Sequence, residues 1–164
     1  MLDTFTRAYI DCALWSTTPF GTCFCEHSLE NHAGFSYDTS TGGECSACDC
    51  TEYQEGDVSF QTLNYEEEDI SPDTLARIAE DCRTFQEENQ GSLLYLYGTI
   101  GMNYDAASAG HDFWLTRNGH GAGFWDRYYG KDKRILSAFK ALTESCQHHT
   151  FDLYLGDDGK VWGS

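Results

Sequence analysis

The sequence predicts an α+β fold, with N-terminal helices, a C-terminal β-β-α-β-β unit and an inserted zinc-stabilised loop or ribbon. Three observations carry this. Apolar residues recur at helical spacing in residues 4–15, 72–85 and 131–146; short aromatic runs broken by Gly and Asp fill much of the rest of residues 110–164; and periodicity vanishes between residues 17 and 62. A chain of 164 residues with 40% hydrophobic content fits a single domain over 1–164, with 17–62 as an inserted Cys/His module.

Each element follows from local chemistry. Asp3 can cap a helix over residues 4–15, whose apolar face is Phe5, Ala8, Tyr9, Cys12 and Trp15, with Leu14 at its edge. Ser71-Pro72-Asp73 reads as cap, first helical position and first-turn acid. Leu75, Ile78, Ala79, Cys82 and Phe85 then follow on one face, and Gly91 lies just beyond the end. Residues 93–102 fit a short helix or a strand. Residues 112–116 read as a strand, 118–121 as a turn and 123–125 as the returning strand. Ile135, Leu136, Phe139, Leu142 and Cys146 line one side of a helix over 131–146. Residues 151–155 and 161–162 read as strands around the turn 156–159, which offers too few oxygen ligands for a calcium loop.

The inserted segment carries the densest chemistry. Cys23, Cys25, His27, His32, Cys45, Cys48 and Cys50 form the pattern C-x-C-x-H-x4-H-x12-C-x2-C-x-C, seven candidate ligands within 28 residues. A Cys-x2-Cys pair supplies two ligands from one tight turn, and a closed zinc site needs four of N or S type. Seven candidates exceed one tetrahedral shell, so some are spectators or two ions share bridging thiolates. The neighbouring histidines and Cys-x-Cys spacing favour Zn²⁺ over an iron–sulfur cluster. The expected role of the ion is to fold a segment too polar to fold alone. Cys12, Cys82 and Cys146 fall on predicted helices and read as small buried hydrophobes.

Charge sets the expected partner. The net charge is -17, and between Ala8 and Asp73 there are fourteen Asp or Glu residues and no Lys or Arg. Such a field repels DNA, RNA and anionic membranes and attracts basic protein surfaces. The acidic run Glu66, Glu67, Glu68 and Asp69, continued by Glu80 and Glu88, offers a surface that imitates the phosphate row of nucleic acid. A competing site is the hairpin expected to carry His111, His120 and Asp126, which would suit a metal-dependent hydrolase. No nucleophile motif accompanies it, so the reading leans away from an enzyme. Arg117, Asn118 and Arg127 nearby suit either an anion or local carboxylates. No signal peptide or membrane-spanning run is legible, and the expected compartment is the cytoplasm, where thiols stay reduced.

The run AGHDFWLTRNGHGAGFWDR at residues 109–127, with YIDCALWS at 9–16, ISPDTL at 70–75 and DLYLGDDGKVW at 152–162, resembles a family of small acidic proteins encoded by bacteriophages and plasmids. The resemblance spans much of the chain outside 17–62 and implies a mobile-element setting in a bacterial host rather than a mechanism. With the charge, it leads to the expectation of an acidic inhibitor that blocks a host nucleic-acid-binding protein by DNA mimicry, in anti-defence or host takeover. It would bind no nucleic acid itself. A third expectation makes the zinc module the protein-recognition element on an inert scaffold.

Overall fold

The computed structural model describes residues 1–18, 59–127, 130–146 and 150–164, together with the backbone pairing of 41–42 with 53–54. Its elements are α1 (Thr4–Ser16), β1 (Thr41–Gly42), β2 (Tyr53–Gln54), α2 (Pro72–Glu88), α3 (Gln90–Tyr97), α4 (Ala106–Arg117), α5 (Lys133–Ser145), β3 (Leu153–Leu155) and β4 (Val161–Gly163). Short 3₁₀ turns occupy Glu67–Asp69 and Phe124–Asp126. Helices dominate. The strands form two antiparallel pairs, β1 with β2 and β3 with β4, the latter in the register Leu153↔Gly163 and Leu155↔Val161.

The predicted caps set the helix starts. The Asp3 carboxylate accepts from the Thr6 amide at 2.7 Å, and the Ser71 hydroxyl accepts from the Thr74 amide at 3.2 Å with Pro72 at the first helical position. Asp132 opens α5 in the same way. The helix expected over 131–146 is therefore present, two residues shorter at its start, with Ile135, Phe139 and Leu142 buried and Leu136 partly exposed. Residues 90–97 resolve the helix-or-strand ambiguity as a helix. Gly91 lies inside that helix rather than beyond the end of α2, which Asn89 closes. On α1 the face is wider than expected: Ile10, Ala13 and Leu14 are buried while Trp15 is 56% exposed.

Residues 112–116 are not a strand, and 123–125 do not return beside them. Residues 106–117 form α4, capped by the Asp105 carboxylate on the Ser108 amide at 2.8 Å, and 124–126 form a 3₁₀ turn. The β-β-α-β-β unit is thus reduced to α5 followed by β3 and β4. The physical reason is burial. Asp112, Phe113, Trp114 and Leu115 are consecutive and all buried, because α4 runs through the middle of the molecule with neighbours on several sides. A helix buried all round has no amphipathic stripe to read. Asn118 and Gly119, expected as a hairpin turn, instead end α4. Gly119 adopts φ +68, its amide donates to the Thr116 carbonyl, and the His120 amide reaches back to the Leu115 carbonyl at 2.9 Å, a Schellman closure.

The core forms where α1 crosses α4. Tyr9 meets Trp114 edge to face at 5.2 Å between ring centroids, and Phe85 of α2 stacks on Phe113 at 4.0 Å. The close approach depends on Gly110, where a Cβ would lie 2.1 Å from the Phe5 carbonyl oxygen. The Trp114 indole N–H donates to the Ser16 hydroxyl at 2.7 Å, which ties the end of α1 to α4. Cys12, Cys82 and Cys146 are buried and free.

Candidate functional site

The acidic turn is a positioned feature of the fold. Ile70 is buried and bridges to Val161, the Ser71 amide donates to the Val161 carbonyl at 2.8 Å, and Lys160 Nζ donates to the Glu68 main-chain carbonyl at 3.0 Å. These contacts hold residues 68–71 against Lys160 and β4. Within the turn, Asp69 accepts from the Glu66 amide at 3.0 Å. Glu66 and Glu68 are exposed and Glu67 and Asp69 partly so. Among the described residues none of their carboxylates forms an ion pair. A concavity of about 370 Å³ lies against Asp11 and Glu66, Glu67 and Glu68.

The acids of α2 divide differently. Glu80 and Glu87 are taken by Arg83, whose guanidinium lies 2.7 Å from Glu87 and bridges Glu80 through both Nε and Nη2. The hydrogen bonds and charge of Arg83 hold the Glu80 carboxyl below the usual range. Asp81 pairs with Arg117 at 3.1 Å. Glu88 makes no ion pair among the described residues. Of the six acids expected to face a partner, Glu80 is therefore already engaged.

His111, His120 and Asp126 do not share a hairpin. His111 lies on α4, its ring stacked 6.1 Å from that of Trp15. His120 sits past the end of α4, with its ring 6.4 Å from that of Trp114, and burial lowers its pKa. Asp126 accepts from the Gly123 amide at 3.0 Å. Among the described residues no group of three His, Cys, Asp or Glu side chains could hold a metal ion. Cys23, Cys25, His27, His32, Cys45, Cys48 and Cys50, the expected zinc ligands, lie outside the described residues. The buried Cys12, Cys82 and Cys146 are poor ligands and nucleophiles, since burial pushes each thiol up to about 12.

Two buried charges, both in the resembling run, are spent on structure. Asp112 is fully buried on α4. It accepts from Arg127 Nε at 2.8 Å and Nη2 at 2.6 Å, and from the Tyr104 hydroxyl at 2.8 Å. Burial, and then the Asp112 charge, raise the Tyr104 phenol far above its ordinary value, so it remains a donor. Arg117 ends α4. It donates to the Tyr9 hydroxyl at 2.9 Å and to Asp81, with its guanidinium 5.2 Å from the Phe113 centroid and 5.3 Å from that of Phe151. Arg117 and Arg127 thus take local carboxylates. Asn118 donates to the Trp114 carbonyl and accepts from the Phe151 amide.

Sequence reasoning missed one feature, a cleft of about 410 Å³ between α2, the end of α4 and the segment leading into β3. Arg77, Asp81, Phe85 and Glu88 line it from one face of α2. Their spacing of four, four and three residues was the available signal. It was obscured because charged residues on a helix face ordinarily point to solvent.

The sequence matches no family model, and neither a curated protein nor a solved structure matches it. Among the described residues no helix is long and apolar enough to cross a membrane.

Proposed function

We propose that this chain is an acidic binding protein of mobile-element origin that docks onto a basic, nucleic-acid-binding host protein in the bacterial cytoplasm and blocks it. The observation that carries the reading is the turn at residues 66–69. Its backbone is held by Lys160 at Glu68 and runs directly into Ile70 and Ser71, which are bound to β4, while its carboxylates are left without ion pairs among the described residues. Carboxylates carried on a held backbone and left without ion pairs cost little backbone ordering when Lys and Arg side chains arrive, and at a net charge of -17 they also speed the encounter. Glu88 extends this surface; Glu80 contributes less because Arg83 neutralises it.

The inserted module is proposed to hold Zn²⁺ through four of Cys23, Cys25, His27, His32, Cys45, Cys48 and Cys50. Support comes from the chain path. The Phe60 amide donates to the Thr17 carbonyl at 3.1 Å, so the chain leaves and rejoins the fold at one place, as an insertion requires. Phe60 itself is fully buried in the host core. The purified protein should carry about one zinc ion per chain, measured by elemental analysis. Chelation should perturb the inserted segment and spare the helices, because those bury their own apolar faces.

The test of the docking reading is affinity capture from bacterial lysate with salt steps and duplex DNA as competitor. The captured protein should be a nucleic-acid binder. It should elute as the Debye length falls from about 10 Å at 0.1 M salt to about 3 Å at 1 M, and DNA should displace it. Direct binding of the chain to DNA, or capture indifferent to salt and DNA, would overturn the reading.

A further inference from the structure

Residues 127–140 reverse the charge of the rest of the chain. Arg127, Lys131, Lys133, Arg134 and Lys140 lie here, half of the ten Lys and Arg residues, against one acid, Asp132. Arg127 is taken by Asp112. Lys131, Lys133 and Arg134 are exposed and form no ion pair among the described residues. Asp132 caps α5 through the Arg134 amide at 2.8 Å. Lys133 and Arg134 then occupy the first turn of that helix, which holds no acidic residue. Cations there oppose the helix dipole, so the stability of α5 does not account for them.

Beside this stretch lies a groove of about 280 Å³ between the turn at 124–126 and α5. Its apolar surface is open to solvent: Trp125 is 56% exposed and Leu136 37%. A held turn presents Trp125. The Gly123 amide donates to Asp126, and the Phe124 amide donates to the Thr116 hydroxyl of α4 at 2.8 Å. Gly123 adopts φ +143, and a Cβ there would strike Thr116. Lys133, Leu136 and Lys140 follow at spacings of three and four along one face of α5. Lys140 lines the groove and pairs with Glu144 at 3.6 Å; both are well exposed, so the pair is weak and open to exchange.

The groove is small for a drug-sized ligand but has room for one large apolar side chain. The cations beside it complement carboxylates that flank such a side chain. A short acidic segment carries few charges and feels mainly the local field, which is screened beyond about 10 Å at 0.1 M salt. A nucleic acid or a second copy of this chain brings many more negative charges against the net charge of -17, so each fits less well.

We propose that the groove between Trp125 and α5 binds an acidic segment of a partner protein that carries a large apolar side chain. That side chain packs on Trp125 and Leu136. The flanking carboxylates pair with Lys133 and Lys140, and Lys131 and Arg134 add to the field. The site uses none of Glu66, Glu67, Glu68, Asp69, Glu80 or Glu88, so it is independent of the docking reading.

Fluorescence anisotropy of the full chain tests it, with a fluorescein-labelled peptide DELFED and the comparison peptides DEAAED and KKLFKK. DELFED should bind saturably, and both comparison peptides at least about tenfold more weakly. A thymidine oligonucleotide of the same charge should compete poorly. Trp125→Ser should weaken DELFED at least about tenfold while keeping the helical circular dichroism of the wild type. The double variant Lys133→Glu with Arg134→Glu separates binding from folding. It should lose DELFED binding while its thermal midpoint stays level or rises, because acids suit the first turn of α5. Lysine replacement of Glu66, Glu67 and Glu68 should not weaken DELFED. Absence of saturable DELFED binding, equal binding of DEAAED or KKLFKK, or tighter binding of the oligonucleotide would each overturn the proposal. So would sedimentation of the free chain as a dimer that the double variant dissolves.

Discussion

Asp112 and Glu67 carry the same functional group in opposite settings. Asp112 lies in the interior helix α4, fully buried, with Arg127 and Tyr104 accounting for its oxygens. Glu67 lies on a 3₁₀ turn that runs into residues bound to β4, partly exposed and without an ion pair among the described residues. Both stand on ordered backbone, but only the Asp112 carboxylate is held by partners within the fold. A buried carboxylate must be neutralised within the fold or it costs several kcal/mol. An exposed one costs the fold almost nothing, and its charge remains available to another molecule. Counting acids from the sequence conflates the two, and it also misses intermediate cases such as Glu80, which Arg83 neutralises at the surface.

The largest expected effect tests the interior side of this contrast. Asp112→Ala removes the buried carboxylate that accepts from Arg127 and the Tyr104 hydroxyl and should cost about 3–5 kcal/mol in urea unfolding. A cost below about 1 kcal/mol would mean that the interior carboxylate is not structural. Next is Gly110→Ala. Its new Cβ would be driven into the Phe5 carbonyl, backbone that cannot swing aside, so α1 and α4 must separate at a cost of about 1–3 kcal/mol. An unchanged midpoint would show that the crossing is looser than described.

Replacing Glu66, Glu67 and Glu68 together with Lys should change stability by no more than about 0.5 kcal/mol per position. Association with the captured partner should slow sharply at low salt and converge with the wild type at high salt. Loss of folding in this variant would place the turn on the structural side and break the comparison. The smallest effect is that of His120. Burial lowers its pKa in the folded state, so the unfolded chain takes up the proton more readily. The contribution from His120 is therefore fully present above its unfolded pKa near 6.5 and fades as pH falls through the folded value. His120→Asn should flatten the fall in thermal midpoint below pH 6.5, and an identical pH profile in the variant would sink this assignment.

Some elements were legible because their signal is local. The Asp3 and Ser71-Pro72 caps, the amphipathic faces of α2 and α5 and the 156–159 turn each rest on residues close in sequence, and each forms where expected. The acidic turn was legible as composition, though not as a pinned structure. What the sequence by itself determined is therefore the helix starts, the apolar stripes and the strongly acidic charge, since capping, 3.6-residue periodicity and charge need no tertiary partner. Tertiary structure alone decided that 112–116 is an interior helix, because burial on several sides removes the periodicity that distinguishes helix from strand. It also decided which charges remain for other molecules. Asp112 meets Arg127 across 15 residues and Asp81 meets Arg117 across 36, and only the packing of α2 against α4 brings the latter pair into contact.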